Sequence, residues 1–262
     1  MPNQKTALIT GASFGIGLEL ARIFAREGHN LVLVARSADR LRQLASDLEK
    51  AHGTRSLILA IDLTEPGAAS YLLDQTTRAD IQVDVLVNNA GFGQFGFFAE
   101  SDLEVCLQQI QLNVTALTHL TRLYLPGMIE RRHGRILNVA STAAFQAGPL
   151  MAVYYATKAY VLLFSEAIAN ELQGTGVSVT CLCPGPTATE FQKRAKITGS
   201  RLFKYGSMDA RTVAEDGYRA LMAGKPVVIS GFRNWLVAQS VRFAPRRMVT
   251  AVSRKLQETS SQ

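Results

Sequence analysis

Residues 6–17 read Thr6-Ala-Leu-Ile-Thr-Gly-Ala-Ser-Phe-Gly-Ile-Gly17. An apolar run, Thr6–Thr10, leads into a turn with three glycines, and an amphipathic segment follows at 16–27. A near-continuous apolar run indicates a strand that is covered on both faces. Glycine in such a turn lets backbone N–H groups approach an anion at the N-terminus of the following helix. The stretch therefore predicts the first strand, turn and helix of a parallel α/β sheet.

The same alternation continues along the chain. Apolar runs recur at 31–35, 56–61, 83–87, 135–140, 177–183 and 226–230, and amphipathic segments lie at 38–51, 68–78, 101–124, 153–172 and 209–222. Alternating strands and helices predict a single Rossmann-type, doubly wound parallel sheet of about seven strands flanked by helices. We expect this catalytic domain to span residues 1–232 and a basic amphipathic extension to span residues 233–262.

Composition excludes several classes of protein. The chain has 262 residues, of which 47% are hydrophobic and 19% are charged, so it is neither disordered nor of low complexity. Three cysteines are too few for a disulfide framework and fit a reducing compartment. We find no metal-ligand spacing, no signal peptide and no apolar run of about 18 residues. These features predict a cytoplasmic protein without a metal.

The net charge of +7 is unevenly distributed. Residues 231–262 carry six basic side chains against one acidic one, and residues 190–206 carry five against one. The rest of the chain is slightly acidic. No recognised nucleic-acid-binding motif accompanies the basic segments, so we do not expect a nucleic-acid partner.

The carboxyl ends of the predicted strands carry candidate binding residues, as expected for ligands of such sheets. Arg36 lies 19 residues after Gly17, where an acidic residue would bind the ribose hydroxyls of NAD. A guanidinium instead favours the 2′-phosphate of NADP(H), and Arg40 lies one helical turn later. The alternative is that Arg36 is an ordinary solvated arginine.

Two further strand ends complete the predicted cofactor site. Asp62, with Leu63 beside it, is placed to accept a hydrogen bond from an adenine amine, although it also suits a turn or helix cap. Asn88 to Gly91 follow the fourth strand, where asparagine can pin the backbone and glycine lets a ligand lie close. The predicted cofactor-binding residues in this half are Gly11, Ser13, Phe14, Gly15, Ile16, Gly17, Arg36, Arg40, Asp62, Leu63, Asn89, Ala90 and Gly91.

The later strands carry residues suited to proton transfer. Ser141 follows the fifth strand, and Tyr154 and Lys158 share one face of a predicted helix at i, i+4 spacing. This spacing selects Tyr154 over the neighbouring Tyr155. An ammonium group lowers the pKa of a nearby phenol, and a serine hydroxyl stabilises a developing oxyanion. A surface Tyr/Lys pair is the alternative, and Asn113 on an apolar helix is either structural or catalytic.

These motifs, together with Pro184-Gly185, match in order those of the short-chain dehydrogenase/reductase family over residues 5–230, which the chain resembles. The resemblance implies that Tyr154 is the general acid/base, that Ser141 orients the carbonyl, and that Lys158 holds the nicotinamide ribose and tunes Tyr154. It implies that Asn113 serves a water-mediated proton relay. It also implies a homodimer or homotetramer, formed through the segments 101–124 and 153–172, and nicotinamide contacts at Pro184, Gly185, Thr187 and Thr189.

One residue departs from the pattern of NADP-preferring members of the family, many of which carry a basic residue just before the second glycine. Phe14 stands there, so Arg36 must carry most of the selection for the 2′-phosphate. The chain is thus interpreted as an NADP(H)-dependent oxidoreductase that interconverts a carbonyl and an alcohol. The alternative is a non-catalytic NADP(H)-binding scaffold or redox sensor.

The substrate is expected to be an apolar ketone, acyl or lipid-like small molecule. Candidate wall residues are Phe92, Phe95, Phe97, Phe98, Phe145, Leu150, Met151 and Phe191. The basic segment 190–206 coincides with the family's mobile substrate lid, and its charge also suits an anionic substrate such as an acyl thioester. The C-terminal extension either packs on its own protein, packs on a partner subunit or makes a peripheral contact with an anionic membrane.

Overall fold

The computed structural model describes residues 4–190 and 206–258. Its strands form one parallel sheet in the order β3-β2-β1-β4-β5-β6-β7. This confirms the predicted doubly wound Rossmann-type sheet. The strands are β1 (Thr6–Thr10), β2 (Asn30–Ala35), β3 (Ser56–Ala60), β4 (Val85–Asn88), β5 (Gly134–Val139), β6 (Val177–Cys183) and β7 (Val227–Ile229).

Helices cover both faces of the sheet. Leu20 and Phe24 pack with Leu41 and Val213 on one face, and Leu72, Leu120 and Ile168 pack together on the other. Because both faces are buried, the strands are apolar almost throughout. The helices are α1 (Gly15–Arg26), α2 (Ala38–His52), α3 (Ala68–Arg78), α4 (Leu103–Ile110), α5 (Leu117–Glu130), α6 (Ala152–Glu171), α7 (Ala210–Met222), α8 (Phe232–Ser240) and α9 (Arg246–Gln257).

The segment predicted as one helix over residues 101–124 is interrupted. Helix α4 ends at Ile110, a π-helical turn spans Gln111–Ala116, and α5 begins at Leu117. A π turn closes i→i+5 hydrogen bonds and so accommodates one extra residue without ending the helix. Neither glycine nor proline occurs within the turn, so nothing local in the sequence indicates it. The turn carries Asn113, which is buried.

The C-terminal extension consists of α8, a short 3-10 turn over Val241–Phe243, and α9. Ser253 and Gln257 on α9 are buried, and both hydrogen-bond to Tyr155 on α6. This confirms the interpretation that the extension packs on its own protein.

None of the helices in the described residues is long and apolar enough to cross a lipid bilayer. The predicted lid over 190–206, except for Glu190 and Gly206, lies outside the described residues, and so does Phe191.

Candidate active site

A cavity of about 1370 Å³ runs along the carboxyl ends of the strands. It joins the glycine-rich turn after β1 to the residues that follow β5 and β6. Most of the predicted site residues therefore lie around one space. Those that line it are Gly11, Ser13, Phe14, Gly15, Ile16, Arg36, Asp62, Leu63, Asn89, Ala90, Gly91, Ser141, Tyr154, Lys158, Pro184, Gly185, Thr187 and Thr189.

Gly17 is not among the lining residues, and the turn after β1 shows why glycine is needed there. A Cβ atom at Gly17 would lie 2.3 Å from the carbonyl oxygen of Gly11 and 2.5 Å from Nδ2 of Asn89. Gly11 itself has a φ of +67°, a backbone conformation that disfavours other residues. Gly17 thus lets helix α1 pack closely on the turn, and its contact with the cofactor stays a prediction.

Asparagine side chains tie the first strand to the fourth. Nδ2 of Asn89 donates to the carbonyl oxygen of Thr10 at 2.9 Å. In return, the Thr10 hydroxyl oxygen accepts from the backbone N–H groups of Asn89 and Ala90, both at 3.0 Å. Asn88 donates to Asn138 on β5 at 2.9 Å. These bonds fix the edge of the cavity from β1 across to β5.

Arg36 and Asp62 face each other at the ends of β2 and β3. Nη1 of Arg36 lies 3.4 Å from Oδ2 of Asp62, and the Arg36 side chain is 65% exposed. Oδ1 of Asp62 accepts from the backbone and hydroxyl of Thr64, so its turn role is confirmed. Burial raises the pKa of Asp62, but the Thr64 hydrogen bonds and the charge of Arg36 outweigh it and hold that pKa below its usual value.

Arg40 does not line the cavity, and its predicted contact with the cofactor stays a prediction. Its guanidinium lies over the Phe14 ring, 4.7 Å from the centroid, and Nη1 is 3.5 Å from Oε1 of Glu190. The ring of Phe14, which is the departure from the family pattern, provides this stacking surface. Arg40 therefore lies behind Phe14 at the rim of the cavity.

Ser141 and Tyr154 meet at the other end of the cavity. Ser141 directly follows Ala140 at the end of β5, and Tyr154 lies in the first turn of α6. Their hydroxyl groups are hydrogen-bonded to each other. The Ser141 oxygen also accepts from the backbone N–H of Ala143 at 3.1 Å, which fixes its position. The arrangement presents two hydroxyl groups to the same point of the cavity.

Lys158 is buried beneath this pair. Its Nζ donates to the carbonyl oxygen of Val139 at 2.8 Å and lies 5.8 Å from the centroid of the Tyr154 ring. Burial lowers the pKa of Lys158 to about 8. Shielding from water raises the pKa of Tyr154, and the Ser141 hydrogen bond only partly offsets this. Shielding is the largest influence on the Tyr154 pKa in this structure, and the lowering effect expected of the Lys158 ammonium stays a prediction.

Asn113 does not line the cavity. Oδ1 accepts from the backbone N–H of Phe92 at 3.1 Å, and Nδ2 donates to the carbonyl oxygen of Phe92 at 2.9 Å and to the Thr157 hydroxyl at 3.0 Å. Through Asn113, the π turn ties the loop after β4 to Thr157 on helix α6. Thr157 lies between Tyr154 and Lys158 in the sequence. These contacts support the structural alternative for Asn113, in which its side chain holds the loop after β4 against α6.

The substrate end of the cavity differs from the predicted aromatic wall. Phe92 and Met151 line it, whereas Phe95, Phe97, Phe98, Phe145 and Leu150 do not. Phe98 is 66% exposed and Leu150 is buried elsewhere. Sequence reasoning missed lining residues that come from distant parts of the chain, and no local pattern indicates them. They include Gln108, Leu112, Gln146, Tyr155, Val237, Leu256 and Gln257.

The geometry fits an extended dinucleotide. At the N-terminus of α1, the capping residue Phe14 makes no side-chain hydrogen bond to the first-turn amides, and Gly15 and Ile16 line the cavity. A Cβ atom at Gly15 would lie 2.9 Å from Cγ2 of Thr189, so a side chain at this position would crowd Thr189. An anion bound here would meet the backbone N–H groups at the start of α1 and the side chain of Arg36.

The family model for short chain dehydrogenase matches residues 5–198. The match covers most of the chain, and it agrees with the sheet order and with the Ser141, Tyr154 and Lys158 cluster. The chain belongs to the short-chain dehydrogenase/reductase family.

Individual relatives extend this similarity. The chain is 39% identical over 181 residues to the ketoacyl reductase HetN of Nostoc, which covers 69% of this chain and 63% of that protein. Among solved structures, it resembles a short-chain dehydrogenase from Sphingobium yanoikuyae in complex with NADPH, with a TM-score of 0.81 and 32% identity over 98% of this chain and 100% of the other.

A second similar structure is the bulky-bulky ketone specific alcohol dehydrogenase from Comamonas testosteroni, with a TM-score of 0.78 and 31% identity over 92% and 93% of the two chains. The matched region spans 54 to 63% of the length of three curated relatives.

Proposed function

We propose that this protein is an NADP(H)-dependent oxidoreductase that interconverts a carbonyl and an alcohol by hydride transfer. The observation that carries the proposal is the hydrogen-bonded Ser141 and Tyr154 pair above buried Lys158, at one end of a cavity whose other end holds Arg36. The NADPH bound to the similar Sphingobium yanoikuyae structure supports the choice of cofactor.

The turn after β1 and the N-terminus of α1 would hold the pyrophosphate of the cofactor. Arg36 would exchange part of its contact with Asp62 for the 2′-phosphate, which it can bind with two parallel hydrogen bonds. Asn89, Ala90 and Gly91 would line the path to the nicotinamide, and Pro184, Gly185, Thr187 and Thr189 would border it. The bound nicotinamide supplies the hydride.

Proton transfer falls to Tyr154. Because shielding raises the pKa of its phenol, the group is protonated at neutral pH and can donate a proton to a carbonyl oxygen as that oxygen gains charge. Ser141 donates a hydrogen bond to the same oxygen and orients it. The Lys158 ammonium stabilises the phenolate that remains after transfer.

The substrate is an apolar ketone, acyl or lipid-like compound. Met151 and Val237 line the cavity, and Met151 packs in one apolar cluster with Tyr154. A ketoacyl reductase and an alcohol dehydrogenase for bulky ketones among the similar proteins support this class. We assign catalysis to residues 1–232, with a substrate lid at 190–206, and regard residues 233–262 as an extension of that domain.

The test of the proposal is Tyr154→Phe, which removes the phenol but keeps the ring. We expect reduction of a ketone by NADPH to fall by about 100- to 10,000-fold, because a positioned general acid contributes that much. Cofactor binding, followed by the thermal shift that NADPH produces, should be retained. Tyr71→Phe on α3, where the side chain is 53% exposed, is the matched control and should keep full activity.

Turnover that survives Tyr154→Phe would reject Tyr154 as the acid. Binding of NADPH by a wild-type protein that reduces no ketone or acyl compound would instead favour the non-catalytic scaffold or redox sensor.

The exposed face of the extension supports a peripheral contact with an anionic membrane as a further part of the proposal. Phe243 is 89% exposed, and Met248 and Val252 lie exposed one turn apart on α9. The exposed arginines Arg242 and Arg246 flank Phe243. Apolar side chains beside arginines match the interface of a bilayer that carries negative headgroups.

This membrane contact is tested with Phe243→Glu. We expect sedimentation with vesicles of phosphatidylcholine and phosphatidylserine to fall several-fold, because a carboxylate replaces an apolar side chain at the lipid surface. Tyr71→Glu, at an exposed aromatic residue of α3, should leave sedimentation unchanged. Equal sedimentation of wild type and Phe243→Glu would reject the contact.

We also propose assembly into a homodimer or homotetramer through α4 and α6. Leu103, Leu107 and Ile110 form an exposed apolar stripe on α4, and Tyr160 and Leu163 are exposed on the neighbouring α6. Such a stripe of apolar side chains is typical of an interface. Light scattering should show Leu163→Lys with a lower mass than wild type, and an unchanged mass would place the interface elsewhere.

A further inference from the structure

Helix α9 is fastened to the helix that carries the proposed general acid. Nε2 of Gln257 donates to the hydroxyl oxygen of Tyr155, and Ser253 hydrogen-bonds to the same hydroxyl. Gln257 and Ser253 lie on one face of α9 at i, i+4 spacing, and both are buried. Tyr155 follows Tyr154 directly in the sequence. The C-terminal extension therefore contacts the residue next to the proposed general acid.

A second contact holds the same helix to the loop after β4. The guanidinium of Arg254 lies over the ring of Phe97, 5.1 Å from its centroid. Tyr155 and Phe97 belong to different segments, and α9 bridges them. The helix is therefore held at two points.

The bridging helix is also part of the cavity wall. Leu256 and Gln257, in its last turn, line the cavity together with Met151 and Tyr155. Because residues 253–257 contribute both the contacts to Tyr155 and the lining, any displacement of the helix changes the shape of the cavity.

Tyr155 is itself held firmly. A Cβ atom added at Gly148 would lie 2.2 Å from the Tyr155 ring, so the ring packs directly on the backbone there. Its ring meets that of Tyr154 in a T-shaped contact with centroids 6.1 Å apart. Because Tyr155 is held rigidly, its hydrogen bond can fix the position of the Gln257 side chain relative to Tyr154.

We infer that Gln257 is a specificity-determining residue and Tyr155 its positioning residue. The hydrogen bond between them holds α9 as the far wall of the substrate cavity, and the Gln257 side chain limits the size of the group carried by the carbonyl carbon. The inference rests on the proposed carbonyl reduction, because it assigns the substrate end of that same site.

The test compares two ketones of different length, 2-hexanone and 2-dodecanone. Gln257→Ala shortens the wall and should raise the ratio of kcat/KM for 2-dodecanone over 2-hexanone by about tenfold, as expected when a few methylene-sized volumes are opened. Tyr155→Phe, which keeps the ring, should shift the ratio in the same direction by a smaller factor. Lys255→Ala, at an exposed position of the same helix, should leave the ratio unchanged.

The affinities of the two ketones, measured by calorimetry in the presence of NADP+, provide a readout that does not need turnover, because the oxidised cofactor cannot reduce a ketone. Gln257→Ala should shift the affinity ratio as it shifts the kcat/KM ratio. An active enzyme whose two ratios are the same in wild type and Gln257→Ala would overturn the inference and leave the proposed function intact.

A wild type that reduces neither ketone would count against the proposed function, and the affinity ratio would then decide the inference alone. Hydrogen exchange separates loosening of the wall from loss of the fold. In Tyr155→Phe, faster exchange confined to residues 246–257 is expected. Unchanged exchange there would show that Tyr155 does not position the helix.

Discussion

The two ends of the cavity present different kinds of polar group. At the cofactor end, Arg36 is 65% and Asp62 31% exposed at the side chain. At the catalytic end, Lys158 is only 5% exposed. Exposed charges are screened by water and salt, whereas removing the partner of a buried polar group costs more free energy. Substitutions at the catalytic end should therefore reduce activity more than substitutions at the cofactor end.

The largest difference is expected for Ser141→Ala. Removing the hydroxyl leaves the substrate oxygen without its second donor, so kcat for ketone reduction should fall by about 100- to 1,000-fold. The KM for NADPH should hardly change, because Ser141 lies away from Arg36. Steady-state kinetics with varied NADPH provide the measurement. A drop in kcat of less than tenfold would mean that Tyr154 alone orients the carbonyl.

The pH dependence of reduction comes next in size. Burial lowers the pKa of Lys158 to about 8, so the group is charged below that pH and neutral above it. Loss of the charge removes stabilisation from the phenolate, and kcat/KM should fall by about tenfold per pH unit above pH 8. Lys158→Arg stays charged throughout and should show a flat profile at a lower rate. A wild-type profile that is flat up to pH 10 would contradict this role.

The smallest effect is expected at the cofactor end. Arg36→Ala should raise the KM for NADPH by about tenfold, since hydrogen bonds to a charged group contribute about 1.5–3 kcal/mol and exposure reduces this. The KM for NADH should stay constant or fall. Arg42→Ala, at an exposed arginine paired with Asp39, is the control. Equal increases for NADPH and NADH would show that Arg36 does not select the 2′-phosphate.

The same two ends differ in how far the sequence predicts them. The cofactor end is built from consecutive residues at strand ends, and the bounds of β1 and the location of Arg36 follow from the apolar runs and the glycine turn. Arg40 is the exception, because its direction depends on stacking against Phe14, a contact between side chains from different elements.

The catalytic end is only partly predictable. The spacing of Tyr154 and Lys158 predicts their shared face, but the change in the Tyr154 pKa depends on how the surrounding chain shields the phenol. The contact of Gln257 with Tyr155 joins residues 102 positions apart, and neither residue carries a signal for it. Burial and long-range contacts are properties of the folded chain, so local patterns do not contain them.

The π turn over Gln111–Ala116 accommodates one extra residue within the helix that runs from α4 to α5. Because the turn absorbs that residue, deleting it should let an ordinary α-helix form while α4 and α5 keep their directions. The stripe of Leu103, Leu107 and Ile110 would then stay where it is, whereas the contacts of Asn113 with the backbone of Phe92 would be lost. One inserted residue thus anchors the loop beside the active site without changing the outer apolar face of α4. Relatives that lack it should keep their assembly and differ at the active site.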